Sequence, residues 1–169
     1  SDFVNRVRPN ALLAVIGLIA QAAGYEGMVG GQVVDIQSEG KEVDPSIVQF
    51  IHTRKTAALI SASVVSGAIL VDAAEDQVKA LTSYGQNIGL AFQVSDDILD
   101  IEGDSRELGK NVGSDTRQEK ITYPAVLGLK RSKEIQEGLV EQAIESLAPF
   151  DQRAEPLRHI AKYIIVRKT

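Results

Sequence analysis

Apolar residues recur at helical spacing along most of this chain, and no stretch shows the alternation typical of a strand. The periodic segments predict helices over Asn10 to Ala23, Gly27 to Gly40, Pro45 through Lys55 and on to Val71, Asp76 to the aspartates near Asp100, Tyr123-Pro124, Ser132 to Leu147, and Asp151 to Arg167. The pattern therefore predicts an all-α bundle with one or two long central helices.

Glycine, proline and aspartate mark the ends of these segments. Gly24 follows the first helix, and Asp44 before Pro45 is typical of a helix start, with an N-cap followed by proline at the first helical position. The stretch from Gly103 to Thr122 differs, because it has three glycines, many charges and little apolar periodicity. We predict a loop there, and a long loop within a compact domain is often functional.

Composition restricts the function. The 169 residues suit one domain, rich in Ala, Val, Ile and Leu. The sequence has no Cys, which excludes disulfides, thiolate metal sites and a Cys nucleophile and agrees with a reducing compartment. No signal peptide is evident, and we predict a cytoplasmic protein. A net charge of −5 argues against a nucleic-acid surface.

Two apolar stretches were compared with the roughly 20 residues that a bilayer requires. Ala11 to Ala23 is too short, and Thr56 to Val71 is short and diluted by Ser, Thr and Gly. We predict that Thr56 to Val71 is a buried helix, that Ala11 to Ala23 supplies either a dimer interface or core, and that there is no transmembrane segment.

The most distinctive chemistry is an aspartate cluster formed by Asp96, Asp97 and Asp100. On a helix, Asp96 and Asp100 share a face, and Asp97 lies about 100° round it. Gln93, three residues before Asp96, extends this polar face by one helical turn. The opposite face carries apolar residues, including Leu90, Val94, Ile98 and Ile101.

Like charges at this spacing repel, and no Lys or Arg lies between Lys79 and Arg106. A stable fold then requires solvent, distant basic groups or a bound cation. An all-carboxylate site suits Mg²⁺. The alternative is a solvated acidic face, but the apolar residues from Phe92 to Ile101 favour carboxylates that line a cavity.

Basic residues near such a site could bind phosphate. The predicted loop supplies Arg106, Lys110, Arg117 and Lys120, and Lys55 begins an apolar helix beside the hydroxyl of Thr56. Each of these basic residues alone is more typical of an exposed surface position. Together they favour phosphate binding.

The glycine pair Gly30-Gly31 is unusual inside a helix. It is explained either by close helix packing or by approach of a substrate tail, with Gln32 and Asp35 facing the cavity. We interpret His52 as structural and His159 as a surface residue.

Several segments occur in the order seen in trans-prenyltransferases, and the chain resembles in particular bacterial-type farnesyl and geranylgeranyl diphosphate synthases. The segments are Gly30-Gly31-Gln32-Val33-Val34-Asp35, His52-Thr53-Arg54-Lys55-Thr56, Phe92-Gln93-Val94-Ser95-Asp96-Asp97-Ile98-Leu99-Asp100, Gly109-Lys110, Lys120-Ile121-Thr122-Tyr123-Pro124 and Tyr163-Ile164-Ile165-Val166-Arg167.

This resemblance implies an all-α isoprenoid synthase fold and the Mg²⁺-dependent addition of isopentenyl diphosphate to an allylic diphosphate. The resemblance implies that Asp96 binds a magnesium ion directly, and that Asp97 and Asp100 bind it directly or through water. Lys55 and Lys110 would grip the allylic diphosphate, and Thr56 and Gln93 would stabilise the allylic cation. Lys120 would support a lid and Arg167 would reach isopentenyl diphosphate.

The family also has a first aspartate-rich motif, and no residue before Gly30 supplies it. We therefore expect residues 1–169 to be the carboxy-terminal part of one synthase domain, inactive alone, from a homodimeric enzyme. The alternative is a non-catalytic helical subunit that partners a synthase. A terpene cyclase or head-to-head synthase is a third hypothesis, against which the Lys55-Thr56 and Gly30-Gly31-Gln32 segments argue.

Overall fold

The computed structural model describes residues 7–42, 44–102 and 121–167. Within these ranges the secondary structure is helical and contains no strand, which confirms the predicted all-α class. The predicted loop lies almost entirely outside the described residues, and so do Lys110 and Lys120.

The helices follow the predicted order closely. They are α1 (Pro9–Ala23), α2 (Met28–Ser38), α3 (Pro45–His52), a π-helical turn (Thr53–Ala57), α4 (Ala58–Leu70), α5 (Glu75–Glu102), α6 (Tyr123–Leu127), α7 (Leu129–Ser146), a 3₁₀ turn (Gln152–Ala154) and α8 (Glu155–Val166). Asp44 caps α3 as predicted, because its Oδ1 accepts the Ser46 N–H at 2.7 Å. Helix α7 begins at Leu129, three residues before the predicted start.

Helix α5 is the axis of the fold. Its 28 residues span about 42 Å. One buried cluster joins α5 to α7 and α8, and includes Tyr84, Ile88, Ala91, Val140, Ala143, Leu147, Ala161 and Ile164. A second joins α5 to α3 and α6, and includes Val48, Leu90, Val94, Ile98, Ile121 and Tyr123. These two clusters hold the aspartate-bearing end of α5 between its neighbours.

The apolar side chains of α1 and α2 are largely uncovered. The exposed set comprises Leu13, Ile16, Ile19, Met28, Val29, Val33 and Ile36. By length and composition alone, Pro9–Ser38 is apolar enough to cross a membrane. The backbone turns between α1 and α2, however, and divides the segment into helices of 15 and 11 residues, each shorter than the roughly 20 that a span requires.

Two glycines permit helices to approach the π-helical turn closely. A Cβ on Gly31 of α2 would lie 2.5 Å from the Lys55 backbone nitrogen. A Cβ on Gly89 of α5 would lie 2.6 Å from the Ala57 Cα. Backbone atoms cannot move aside cheaply, so at Gly31 the structure supports the close-packing interpretation.

We therefore expect Gly31→Ala to lower the free energy of unfolding by about 1–3 kcal/mol, because the added methyl overpacks the π-helical turn. The matched control is Gly138→Ala in α7, where an added Cβ meets nothing within 4 Å. That change should raise stability by about 0.5–1 kcal/mol. Denaturant unfolding of the full-length protein measures both, and equal effects of the two substitutions would contradict the close-packing explanation.

Candidate functional site

Lys55 lies on the π-helical turn, opposite α2. Its Nζ is 2.7 Å from Oδ2 of Asp35, whose carboxylate is largely buried. A π-helical turn within a longer helix is frequent at functional sites. Here it offsets α4 from α3 and carries Lys55 and Thr56 between α2 and α5. Lys55 remains partly exposed, so its ammonium is accessible to an anion.

A chain of hydrogen bonds runs from this turn to α5. The Thr56 hydroxyl donates to Oε1 of Gln93 at 2.9 Å. Nε2 of Gln93 donates to Oδ1 of Asp97 at 3.4 Å, one helical turn further along. Oδ2 of Asp97 accepts the Tyr123 backbone N–H at 3.0 Å. Asp97, only 3% exposed, thus joins α5 to the beginning of α6.

His52 lies beneath this chain, and sequence reasoning missed its partner. Its Nε2 is 3.4 Å from Oδ2 of Asp97, and its ring centroid is 5.2 Å from that of Tyr123. Burial lowers the pKa of His52 to about 4, so the imidazole is neutral at neutral pH. Burial and the Asp97 charge both raise the pKa of Tyr123. In the sequence, the only sign that His52 belongs to the site is its position three residues before Lys55.

These side chains surround a small cavity of about 50 Å³. Its lining comprises Asp35, Ile51, His52, Lys55, Gln93, Asp97, Ile121 and Thr122. The predicted carboxylate-lined cavity therefore exists at Asp97. Its volume suits a few water molecules and is too small for a diphosphate, so a larger ligand would have to bind over its rim.

Asp96 and Asp100 project from the outer side of the same helical turns and are only partly buried. A distant basic group meets Asp96: Nη2 of Arg167 donates to its Oδ1. Arg167 is itself well buried, with its Cζ 4.1 Å from the centre of the Phe92 ring and Nη2 3.1 Å from the Phe92 carbonyl oxygen. The ion pair anchors the end of α8 to α5.

A second distant base meets the acidic end of α5. Nζ of Lys133 on α7 lies 2.6 Å from Oε1 of Glu102. The sequence left open three ways to relieve like-charge repulsion, and the described residues show two of them, distant basic groups and partial exposure to solvent.

The three aspartates differ in how well they could bind a magnesium ion. Mg²⁺ commonly takes one or two carboxylates, with waters and substrate phosphates completing its shell. Asp96 and Asp100 share one partly exposed face and fit that pattern. Within residues 7–42, 44–102 and 121–167, no three acidic or His side chains gather closely enough to enclose an ion alone. This face therefore suits an ion that also takes ligands from outside the described residues, such as waters and substrate phosphates.

The other predicted residues are only partly placed. Gln32 is half-buried on α2, one turn from Asp35. Lys110 and Lys120 lie outside the described residues, whereas Ile121, Thr122, Tyr123 and Pro124 are buried against the site. Sequence reasoning also missed Ser95, whose hydroxyl donates to the Ile164 carbonyl at 3.0 Å and helps hold α8 in place.

Comparisons with known proteins identify the family of this chain. A family model described as polyprenyl synthetase matches residues 4–162. A dimethylallyltranstransferase of Fischerella ambigua is 44% identical over 95% of this chain, which covers 47% of that protein. The chain thus spans about half the length of this curated relative.

Solved structures share the fold. Geranylgeranyl pyrophosphate synthetase from Pyrococcus horikoshii superposes with a TM-score of 0.86 at 28% identity, covering 95% of this chain and 61% of that one. A geranyltransferase from Helicobacter pylori, complexed with magnesium and isoprenyl diphosphate, has a TM-score of 0.77 at 27% identity, covering 95% of this chain and 52% of that one.

Proposed function

The chain belongs to the polyprenyl synthetase family, and we propose that it forms one wall of the active site of a prenyl diphosphate synthase. The reaction is the Mg²⁺-dependent addition of isopentenyl diphosphate to an allylic diphosphate. The observation that carries this proposal is the arrangement of Lys55, Thr56 and Gln93 beside the partly exposed face of Asp96 and Asp100.

The residues fit the charges that such a reaction develops. Ionisation of an allylic diphosphate leaves negative charge on the diphosphate and positive charge on the allyl group. Bound Mg²⁺ would supply electrostatic stabilisation of the leaving group. Lys55 can contribute a second positive charge from the π-helical turn. Thr56 follows Lys55 on the π-helical turn, and Gln93 lies next to it on α5. The side-chain oxygen atoms of both residues can face the allylic cation.

A direct assay of the full-length protein tests the function. We expect radiolabelled isopentenyl diphosphate to be incorporated into a longer prenyl diphosphate only when an allylic diphosphate and Mg²⁺ are both present. A cyclase would consume the allylic diphosphate without isopentenyl diphosphate. A non-catalytic subunit would show no incorporation alone and would require an added synthase. Either result would reject the proposal.

The assembly and location belong to the same proposal. The homodimer that the family resemblance implies is supported here by the uncovered apolar side chains of α1, including Leu13 and Ile16. Within the described residues this helix is mostly exposed, so it does not serve as core there. A cytoplasmic location stays a prediction from the sequence.

A further inference from the structure

Asp97 differs from the other two aspartates in what surrounds it. Its carboxylate is almost completely buried, and both oxygens accept hydrogen bonds from protein groups, Gln93 on Oδ1 and the Tyr123 backbone on Oδ2. The ring of His52 lies beside the same carboxylate, with Nε2 3.4 Å from Oδ2. Each carboxylate oxygen has two lone pairs, so these hydrogen bonds do not occupy all of them, but a magnesium ion at Oδ1 or Oδ2 would have to share an almost completely buried carboxylate with these protein groups.

An ionised carboxylate can only accept hydrogen bonds, and this property orients its neighbours. Gln93 must turn Nε2 towards Asp97, so its Oε1 must face Thr56. An amide oxygen can only accept, so the Thr56 hydroxyl donates its single proton to Gln93. The lone pairs of Thr56 Oγ1 are thereby directed away from Gln93.

We propose that Asp97 is a positioning residue that sets the direction of the Asp97–Gln93–Thr56 hydrogen bonds, so that Thr56 presents oxygen lone pairs, and no proton, to a cationic substrate. This inference rests on the proposed function, since it assumes that the allylic cation faces Thr56. It assigns magnesium binding to Asp96 and Asp100 and removes Asp97 from the ligand set.

A one-atom substitution provides the test. In Asp97→Asn, the Tyr123 N–H still requires an oxygen, which leaves the amide nitrogen of the new side chain facing Gln93. Gln93 then accepts with Oε1 and turns Nε2 towards Thr56, so the hydroxyl proton points to the substrate. We expect kcat of the full-length enzyme to fall about 10- to 100-fold, with KM for the allylic substrate nearly unchanged.

A second change should restore the original direction. In Asp97→Asn with Gln93→Glu, the new carboxylate accepts from the asparagine amide and from the Thr56 hydroxyl, while net charge equals that of the wild type. We expect at least a tenfold recovery of kcat over Asp97→Asn alone. A role confined to anchoring Tyr123 predicts no recovery. Thr56→Val leaves the hydrogen bond between Asp97 and Gln93 intact. We expect it to lower kcat about as much as Asp97→Asn does.

Metal binding is measured separately from activity. Mn²⁺ binding in the presence of inorganic diphosphate, followed by electron paramagnetic resonance, should change less than about threefold in Asp97→Asn and should weaken strongly in Asp96→Ala. Equal weakening in both would make Asp97 a ligand and overturn the proposal, as would absence of recovery in the double variant. A wild-type enzyme that binds Mn²⁺ but transfers no prenyl group would instead reject the proposed function.

Discussion

Replacing Asp96 by Ala is expected to lower the turnover of the full-length protein in the proposed reaction by about 10³- to 10⁴-fold. A metal ion contributes several kcal/mol of charge stabilisation, and each 1.36 kcal/mol corresponds to a factor of ten in rate. Asp96 lies on the partly exposed face of α5, one turn from Asp100, and these two carboxylates would hold the ion. Steady-state kinetics with a Mg²⁺ titration measures the loss.

Loss of the ion pair with Arg167 could also destabilise α8, and two variants separate this effect. Asp96→Asn keeps an oxygen that accepts from Arg167 but removes the charge, so it should lose most of the activity while retaining the unfolding temperature. Asp76→Ala removes an exposed carboxylate from the first turn of the same helix and should keep near-normal turnover. An Asp96→Ala enzyme with near-normal turnover would rule out the metal role.

Replacing Lys55 by Met is expected to lower kcat/KM for the allylic diphosphate by about 10²- to 10³-fold. Charge-assisted hydrogen bonds contribute about 1.5–3 kcal/mol each, and an ammonium can donate more than one to a diphosphate. Part of the loss would come from Asp35, which is left largely buried without its cation. Steady-state kinetics at saturating isopentenyl diphosphate provides the measurement.

The double variant Lys55→Met with Asp35→Asn separates these two causes. It removes the unpaired carboxylate, so it should recover stability but not activity. Lys130→Met, which removes an exposed lysine from α7, is the matched control and should leave kcat/KM unchanged. If the double variant regained wild-type kinetics, Lys55 would be a structural partner of Asp35 and not a phosphate ligand.

Helical periodicity predicted most of the described helices and most of their limits. The start of α3 was predictable because Asp44 and Pro45 are local signals, and the Asp44 carboxylate caps the helix within two residues of itself. The aspartate cluster was visible for the same reason, since residues four apart share a helix face wherever the helix packs. The π-helical turn was not predictable, because Gly31 and Gly89, on two other helices, make room for it.

The sequence by itself therefore determined the helical class, the family resemblance and the identity of the candidate side chains. These depend on residue types and short spacings. The tertiary structure decided that Asp97 turns inward to Tyr123 and His52 while Asp96 faces Arg167. Adjacent aspartates on one helix have the same charge and the same intrinsic preferences. Only the helices packed against α5 make one of them a buried acceptor and leave the other partly exposed.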